Sequence, residues 1–316
     1  MENFLLIGGS KASGKSLIRG MLDGHPELFV SPFHEIIFQA LYENDNELYK
    51  KKDIQKIREL LASKGHYYSL ERLTKKNYYL TVSGSDHRSI NLKNFNFYSF
   101  DKSWVDELYK KNSEWNSQEI CLSIYRSFNK YLKSPFLKKS SKKKYYCSMS
   151  NGYPKAISGF LKTFPKSKII YIKRNPIEIV DGLVKRANPD LKKIPNDTRA
   201  KWFTRDALFK KWGTEEFIET IVKLDKEADE ASKKYPNQVY LLNFSDFFEN
   251  RQRHTKNIIK FLNITDHKNL QNYSIGGYKL LSKDKTSILS KAIDINFSSL
   301  KKNQIHKIKK ILKKFK

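Results

Sequence analysis

Glycine, serine and lysine residues near the start of the chain have the spacing of a phosphate-binding loop. Residues 9–16 read GSKASGKS and fit the pattern G-x-x-x-x-G-K-[ST]. In such a loop the glycines let backbone N–H groups approach a phosphate, while serine hydroxyls and a lysine add donors and positive charge. The sequence therefore predicts a phosphate-binding segment made of Gly9, Ser10, Lys11, Ala12, Ser13, Gly14, Lys15 and Ser16.

Two further cations, Lys173 and Arg174, directly follow the clearest predicted strand, at residues 169–172. α/β folds bind ligands at the carboxyl ends of their strands, and an arginine there can hold a phosphate through two hydrogen bonds. The magnesium ion of an ATP site usually needs an acidic residue at such a strand end. The strand predicted at 239–242 is instead followed by Asn243. This pattern favours an anion that carries phosphates in two places and has no bound metal ion.

The elements around these residues alternate between strands and helices. Strands are predicted at residues 4–7, 28–30, 145–149, 169–172 and 239–242, and helices at 15–23, 36–42, 53–63, 104–111, 118–132, 153–163, 177–185, 202–235 and 254–262. Such alternation indicates an α/β fold with a parallel sheet covered on both faces. We expect one domain, residues 1–316, in which residues 43–144 form a mainly helical insertion or cap rather than sheet core.

The tail of the chain, residues 300–316, carries isoleucine and leucine at helical spacing with lysines between them. A basic amphipathic helix of this kind can lie on a membrane surface. The alternative, which we favour, is that its apolar stripe packs on the body of the domain.

Composition restricts the classes of protein and partner. The formal net charge is +28, from 61 Lys and Arg against 33 Asp and Glu, but the lysines are spread along the whole chain. No nucleic-acid module is recognisable, so we expect no nucleic-acid partner. Two cysteines and scattered histidines do not form a zinc pattern. No apolar run reaches the roughly 18 residues of a membrane span, and no secretion signal is recognisable, so we expect a cytoplasmic protein.

Three segments, in this order, resemble the sulfotransferases that use 3′-phosphoadenosine 5′-phosphosulfate, in particular their bacterial, carbohydrate or tyrosylprotein branches. The family's 5′-phosphosulfate loop and following helix are similar to residues 8–28, GGSKASGKSLIRGMLDGHPEL. Its strand, turn and helix for the 3′-phosphate are similar to residues 168–180, KIIYIKRNPIEIV. A later strand and helix resemble residues 239–264, VYLLNFSDFFENRQRHTKNIIKFLNI.

The resemblance implies a P-loop NTPase-like three-layer fold, in which helices flank a central parallel sheet. It also implies transfer of a sulfuryl group, without a metal ion, from 3′-phosphoadenosine 5′-phosphosulfate to a hydroxyl of a small molecule or a carbohydrate. By analogy with related carbohydrate and tyrosine sulfotransferases, Glu35 is the expected catalytic base. His34 is the alternative, because a histidine titrates close to neutral pH. Glu35 could instead only complement the dipole of the predicted helix.

Several positions depart from the family pattern. The usual loop cation falls on Ala12, with Lys11 beside it, and the usual threonine is Lys15. A serine expected eight residues after Arg174 falls on Gly182 in the 3′-phosphate element. We expect Lys15 to supply the charge that Ala12 lacks and to stabilise the departing phosphate, with Lys11 as a second candidate for catalysis.

Two other functions stay open on the sequence alone. Lys15 and Ser16 also suit a loop that binds ATP and magnesium, as in a small-molecule kinase. The departures and the net charge would suit an inactive relative that binds a nucleotide or a polyanion. Outside the predicted site, we expect His25 and Pro26 to fix the turn after the first helix and Trp212 to pack in the core.

Overall fold

The computed structural model describes residues 2–34, 41, 48–63, 79–81, 89–91, 95–131, 143–150, 156–185, 187, 204–271, 274–275, 278–279 and 299–315. Its strands are β1 (Asn3–Gly9), β2 (Leu28–His34), β3 (Tyr49–Lys50), β4 (Tyr79–Thr81), β5 (Ser89–Asn91), β6 (Glu114–Trp115), β7 (Tyr145–Met149), β8 (Lys168–Lys173), β9 (Val239–Asn243), β10 (Ser274–Ile275) and β11 (Tyr278–Lys279). Its α-helices are α1 (Lys15–Leu22), α2 (Ile54–Ser63), α3 (Phe97–Tyr109), α4 (Ser117–Tyr131), α5 (Ala156–Thr163), α6 (Pro176–Val184), α7 (Arg205–Trp212), α8 (Glu215–Lys234), α9 (Phe244–Glu249), α10 (Arg251–Leu262) and α11 (Lys302–Lys313).

Parallel strands form the centre of the fold. Among the described residues, five strands pair in the order β2-β7-β1-β8-β9, and every neighbouring pair is parallel. In the middle, Leu6 of β1 lies opposite Ser148 of β7 on one side and Ile169 of β8 on the other. The predicted α/β class, with a central parallel sheet flanked by helices, is confirmed. The carboxyl ends of the strands meet at one edge of the sheet, where the residues predicted to bind phosphate follow β1 and β8.

Helices α3 and α4 cover one face of this sheet. Trp104 of α3 is fully buried, and the ring of Tyr125 in α4 lies 5.9 Å from the ring of Phe4 in β1, centroid to centroid. Both helices share one hydrophobic cluster with the sheet residues Phe4 and Leu6. Residues 97–131, which lie within the predicted helical insertion 43–144, therefore pack directly on the sheet. Their buried apolar faces explain this placement.

The opposite face of the sheet is covered by α1 and α10. Leu5 and Ile7, which alternate with Phe4 and Leu6 along β1, share a second buried cluster with Met21 of α1 and with α10. Alternate residues of a strand point to opposite faces, so the apolar run of β1 supplies both clusters.

The long helix predicted at 202–235 is divided in the structure. α7 ends at Trp212 and α8 begins at Glu215, while residues 202–203 lie outside the described part of the chain. Gly213 caps the end of α7, and the Thr214 hydroxyl accepts a hydrogen bond from the Phe217 N–H at 3.2 Å. A threonine cap satisfies one of the free N–H groups at a helix start, which favours a new helix at this point.

The tail forms α11 and packs on the domain, as favoured from the sequence. Ile308 and Ile311 are buried in a cluster with residues of α6, α7 and α8. Ion pairs hold both ends of the helix, one between Lys301 and Asp206 at 3.1 Å and one between Lys314 and Glu215 at 2.8 Å. None of the described helices combines the length and the apolarity that a membrane span requires.

Candidate functional site

The predicted phosphate loop connects β1 to α1 through a sharply turned backbone. Gly9 has φ 141°, Ala12 has φ 62° and Gly14, which caps α1, has φ 104°. The Ser13 N–H donates to the Ser10 carbonyl at 3.2 Å and closes the turn. Because Gly14 has no side chain to cap the helix, the first N–H groups of α1 are open to an anion, and the helix dipole adds partial positive charge there.

Gly14 lies directly against an aromatic ring from another part of the chain. A Cβ at this position would lie 2.1 Å from Cε2 of Phe244, the first residue of α9. Such a distance is far below van der Waals contact, and the positive φ would strain any other residue as well. The structure therefore requires glycine at position 14.

Lys15 points back over the loop, as the sequence suggested that a lysine at the helix start could do. Its Nζ donates to the Gly9 carbonyl at 2.8 Å and also to the Ser10 carbonyl. The residue is only 4% exposed, and Nζ lies 3.5 Å from the Ser13 hydroxyl oxygen. This geometry holds a positive charge inside the loop, against backbone carbonyls.

The other loop side chains point in different directions. Ser10 and Ser13 are buried, whereas Ser16 is exposed and its hydroxyl lies 3.8 Å from Sδ of Met149. Lys11 Nζ lies 4.3 Å from the centre of the Trp212 ring, a cation–π distance. Lys11 thus contacts the end of α7, and Lys15 is the loop lysine placed among the loop carbonyls.

Arg174 joins the end of β8 to the phosphate loop. Its Nη1 donates to the Ala12 carbonyl at 3.1 Å, and its Nε donates to Glu178 at 3.0 Å. The guanidinium lies 4.1 Å from the centre of the Phe244 ring, and the side chain is only 14% exposed. Burial lowers the pKa of Arg174, and the nearby Glu178 carboxylate opposes this shift. Two elements that the sequence places 162 residues apart are therefore in direct contact.

Lys173, the neighbour of Arg174, does not join this group. Its Nζ forms an ion pair with both carboxylate oxygens of Asp229 in α8, each at 2.8 Å. Successive residues at a strand end point in opposite directions, so only one of the two cations faces the loop. Of the two cations that follow the predicted strand, Arg174 contacts the loop and Lys173 contacts α8.

The local sequence explains how α6 begins next to Arg174. The Asn175 side chain accepts a hydrogen bond from the Ile177 N–H at 2.9 Å, and Pro176 occupies the first helical position. A proline is tolerated there because its missing N–H would have no partner in the helix. Gly182 lies further along α6, where an added Cβ would meet no atom within 4 Å. A serine side chain would therefore fit at this position.

The candidate bases are only partly placed by the structure. Glu35 lies outside the described residues, and so does the side chain of His34. The backbone of His34, the last residue of β2, pairs in register with Met149 of β7. Because Met149 contacts Ser16, the end of β2 lies close to the phosphate loop. The catalytic roles of Glu35 and His34 stay predictions.

His25 fixes the turn after α1. It is fully buried, its Nδ1 accepts the Glu27 N–H at 3.2 Å, and its Nε2 lies 2.9 Å from the Thr265 carbonyl. Nε2 must therefore carry the proton and donate it. Burial lowers the pKa of His25, so the neutral form is favoured. These contacts agree with the structural role expected for this residue.

Glu178 and Phe244 belong to the site, although sequence reasoning gave neither a role. Glu178 follows Arg174 by four residues, a spacing that favours ion pairs on a helix and could have identified it. Phe244 has no such signal, because its contacts with Gly14 and Arg174 depend on how β9 is placed in the sheet.

The described residues contain no group of three or more His, Cys, Asp or Glu side chains placed to hold a metal ion. At the end of β9, where an acidic residue would suit magnesium, the Asn243 side chain accepts hydrogen bonds from the N–H groups of Ser245 at 2.9 Å and Asp246 at 3.4 Å. Asn243 therefore acts as the cap of α9.

Known proteins resemble this chain in sequence pattern and in fold. A model of the sulfotransferase family matches residues 5–268. The sulfotransferase domain of a Synechococcus olefin synthase superposes with a TM-score of 0.52 at 13% identity, covering 99% of this chain and 96% of that domain. A sulfotransferase domain from the curacin biosynthetic pathway has a TM-score of 0.48 at 14% identity, covering 100% and 98%. At 13% identity, the likeness to the olefin synthase domain concerns the fold alone. The chain matches none of the curated proteins with which it was compared.

Proposed function

Because the chain belongs to the sulfotransferase family, we propose that it transfers the sulfuryl group of 3′-phosphoadenosine 5′-phosphosulfate to an acceptor hydroxyl. The observation that carries this proposal is the hydrogen bond from Arg174 to the Ala12 carbonyl, 3.1 Å long. It holds two cationic elements side by side at the carboxyl edge of the sheet. A donor with phosphates at both ends of its ribose would contact both elements at once.

In this proposal the loop binds the 5′-phosphosulfate and Arg174 binds the 3′-phosphate. The N–H groups at the start of α1 donate to the phosphate next to the sulfur, and Lys15 supplies positive charge from inside the loop. Arg174 has further N–H donors beyond those used for Ala12 and Glu178, and these would reach the 3′-phosphate.

The reaction needs little covalent chemistry from the protein. The acceptor oxygen attacks sulfur while the bond from sulfur to the phosphate oxygen breaks, and a base takes the acceptor proton. Negative charge then grows on the 5′-phosphate, where Lys15 and the α1 N–H groups stabilise it. Glu35 is the proposed base and His34 the alternative. A sugar hydroxyl or a small-molecule hydroxyl is the proposed acceptor.

The kinase alternative is supported by Lys15 and Ser16 alone. The exposed Ser16 hydroxyl contacts Met149, and Asn243 caps α9 where that alternative would need an acid. A kinase also gives no role to the contact between Arg174 and Ala12. The sulfotransferase proposal gives a role to Lys15 and to the contact between Arg174 and Ala12.

Calorimetric titration would test the proposal with adenosine 3′,5′-bisphosphate, the nucleotide product, and with ATP, each with and without magnesium. We expect the bisphosphate to bind without magnesium and more tightly than ATP. A strict requirement for ATP with magnesium would contradict the proposal and support a kinase. If neither nucleotide binds, the chain is not a transferase of either kind.

A separate pair of variants would test the base. Glu35→Gln should abolish sulfuryl transfer and leave the affinity for the bisphosphate unchanged. His34→Gln, the matched variant, should retain turnover if Glu35 is the base. The opposite result would assign the role to His34.

A further inference from the structure

Helix α11 presents a row of lysines to solvent. Lys302, Lys309, Lys310 and Lys313 are exposed, and His306 lies among them. At 100° per residue these five side chains fall within an arc of about 100° on the helix surface. The row runs along almost the whole length of the helix.

The other side of α11 packs on the domain. This packing determines that the lysine row faces the solvent. Ile308 and Ile311 are buried, and Ile305 and Leu312 are partly buried against the same cluster. Ile308 and Ile311 lie opposite the lysine row, and Ile305 and Leu312 lie along one edge of it. Lys301 and Lys314, at the two ends, are already paired with Asp206 and Glu215.

The charge of the lysine row is not balanced by nearby acids. Residues 299–316 include eight lysines and no aspartate or glutamate. Among the described residues, no carboxylate forms an ion pair with Lys302, Lys309, Lys310 or Lys313. The neighbouring helix α8 differs, because acidic residues are interspersed with its lysines and Lys223 is paired with Glu219 at 2.7 Å. Unlike α8, α11 has no acidic residue to offset its lysines; α10, with Arg253, Lys256 and Lys260 exposed, has none either, and α11 carries the longer row.

We propose that the lysine row of α11 binds the surface of an anionic lipid bilayer. Charge complementarity is the argument: a flat anionic surface attracts cations that share one side of a helix, at a strength of roughly fivefold in affinity per lysine. The apolar stripe stays in the domain, so the helix adsorbs on the headgroups and does not insert. Binding of this kind is weakened by salt.

The composition of the row favours lipid over nucleic acid. Residues 299–316 contain no arginine, the side chain whose planar donors hold individual phosphates in fixed geometry. Phe315, their single Phe, Tyr or Trp residue, packs against the cluster under the helix, and His306 is the one ring in the lysine row. Proteins that bind single-stranded nucleic acid commonly stack successive bases on several aromatic rings, and the row offers only one ring. The lysine ammonium groups act as point charges that form no shaped binding site, and such an arrangement suits an anionic lipid surface.

Vesicle cosedimentation of the intact chain, without nucleotide, would test the proposal. Vesicles of phosphatidylcholine with about 30 mol% phosphatidylserine should bind the protein at about 0.1 M salt, and vesicles of phosphatidylcholine alone should not. Replacing Lys302, Lys309, Lys310 and Lys313 with glutamine should lower the affinity on the order of several hundredfold. Because donor binding is not measured, the outcome is independent of the proposed enzymatic function.

A matched control removes the same charge elsewhere. Lys52, Lys110, Lys226 and Lys233 are exposed residues on other elements, and their replacement with glutamine should leave vesicle binding within about twofold to threefold of wild type. Equal losses in both variants would overturn the proposal and assign binding to net charge. Binding to duplex DNA or heparin without binding to vesicles would also overturn it. Unchanged melting temperatures would show that both variants fold.

Discussion

The two proposed phosphate-binding elements of this protein are stabilised in different ways. In the loop, Lys15 contacts the carbonyls of Gly9 and Ser10, residues within one short segment. At the end of β8, Arg174 is held by Ala12 of the loop and by the ring of Phe244 in α9. The loop is therefore locally assembled, whereas Arg174 depends on the packing of the whole sheet edge. Substitutions in the loop should affect the transfer reaction. Substitutions at Arg174 should affect how the loop and the end of β8 fit together.

The largest effect should come from Gly14→Ala, which damages both elements. The new Cβ would lie 2.1 Å from the Phe244 ring, so the loop or α9 must move. Overpacking together with the positive φ should lower the free energy of unfolding by about 2–5 kcal/mol and abolish binding of the bisphosphate. Urea denaturation measures the first effect and calorimetry the second.

The control for this variant is Gly182→Ala, where an added Cβ meets no atom within 4 Å. Alanine in a helix interior should raise the stability by up to about 1 kcal/mol. Equal stability of the Gly14→Ala variant and the wild type would show that the contact with Phe244 does not constrain the loop.

Lys15→Gln should come next and should separate chemistry from binding. Loss of one charged donor at the developing negative charge should lower kcat about 100- to 1000-fold. The affinity for the bisphosphate should change by less than about tenfold, because the α1 N–H groups remain. Steady-state kinetics and calorimetry on the same preparation measure the two quantities.

The neighbouring lysine offers a comparison within the loop. Lys11 lies over Trp212, so Lys11→Gln should lower kcat less than about tenfold. A second substitution should rescue part of the lost activity. The kcat lowered by Lys15→Thr should be partly restored by adding Ala12→Lys, which returns the cation to its usual position in the family. Equal kcat values for Lys11→Gln and Lys15→Gln would remove the special role of Lys15.

Arg174→Ala should have the third largest effect, and it should be on binding. Loss of charge-assisted hydrogen bonds should weaken the bisphosphate about 10- to 100-fold. Arg174→Lys should recover only part of the lost affinity. A lysine lacks the planar guanidinium whose several N–H groups can donate to a phosphate and to the Ala12 carbonyl together. Lys173→Ala, whose wild-type side chain is paired with Asp229, should change the affinity less than about threefold. A larger loss in Lys173→Ala than in Arg174→Ala would reverse the assignment of the two cations.

Gly182→Ser should give the smallest effect, a gain. The serine fits without a clash and adds the hydroxyl that the family resemblance leads us to expect near the 3′-phosphate. One hydrogen bond should raise the affinity for the bisphosphate about two- to tenfold. Gly182→Ala should give no such gain, so a comparison of dissociation constants for the two variants isolates the hydroxyl.

Local features of this fold could be predicted from the sequence, and long-range contacts could not. β1, the loop and α1 were predictable because a short apolar run, glycines and helical spacing all lie within 22 residues. For residues 97–131, the apolar faces were visible, but their partner, the sheet face with Phe4, was not. The break at Gly213 was missed because the apolar pattern continues across it.

The same distinction holds in the candidate site. The sequence indicated that Lys173 and Arg174 follow a strand, but only the position of α8 shows that Lys173 is paired with Asp229. The contact of Gly14 with Phe244 depends on β9 lying next to β8, which no local pattern specifies. The motif therefore predicts a phosphate-binding loop, which stays a prediction, and the sheet order shows which residues pack against that loop.

The hydrogen bond between Arg174 and Ala12 has a consequence for ligands that carry only one phosphate. This hydrogen bond holds the two proposed phosphate-binding elements side by side. A molecule that spans them loses its translational freedom once and gains two sets of contacts, as in a chelate. Adenosine 3′,5′-bisphosphate should therefore bind more tightly than the separate affinities of the 3′- and 5′-monophosphates would suggest. A site that contacts both phosphates would bind nucleotides that lack one of them more weakly. In this way it would discriminate against nucleotides that are far more abundant.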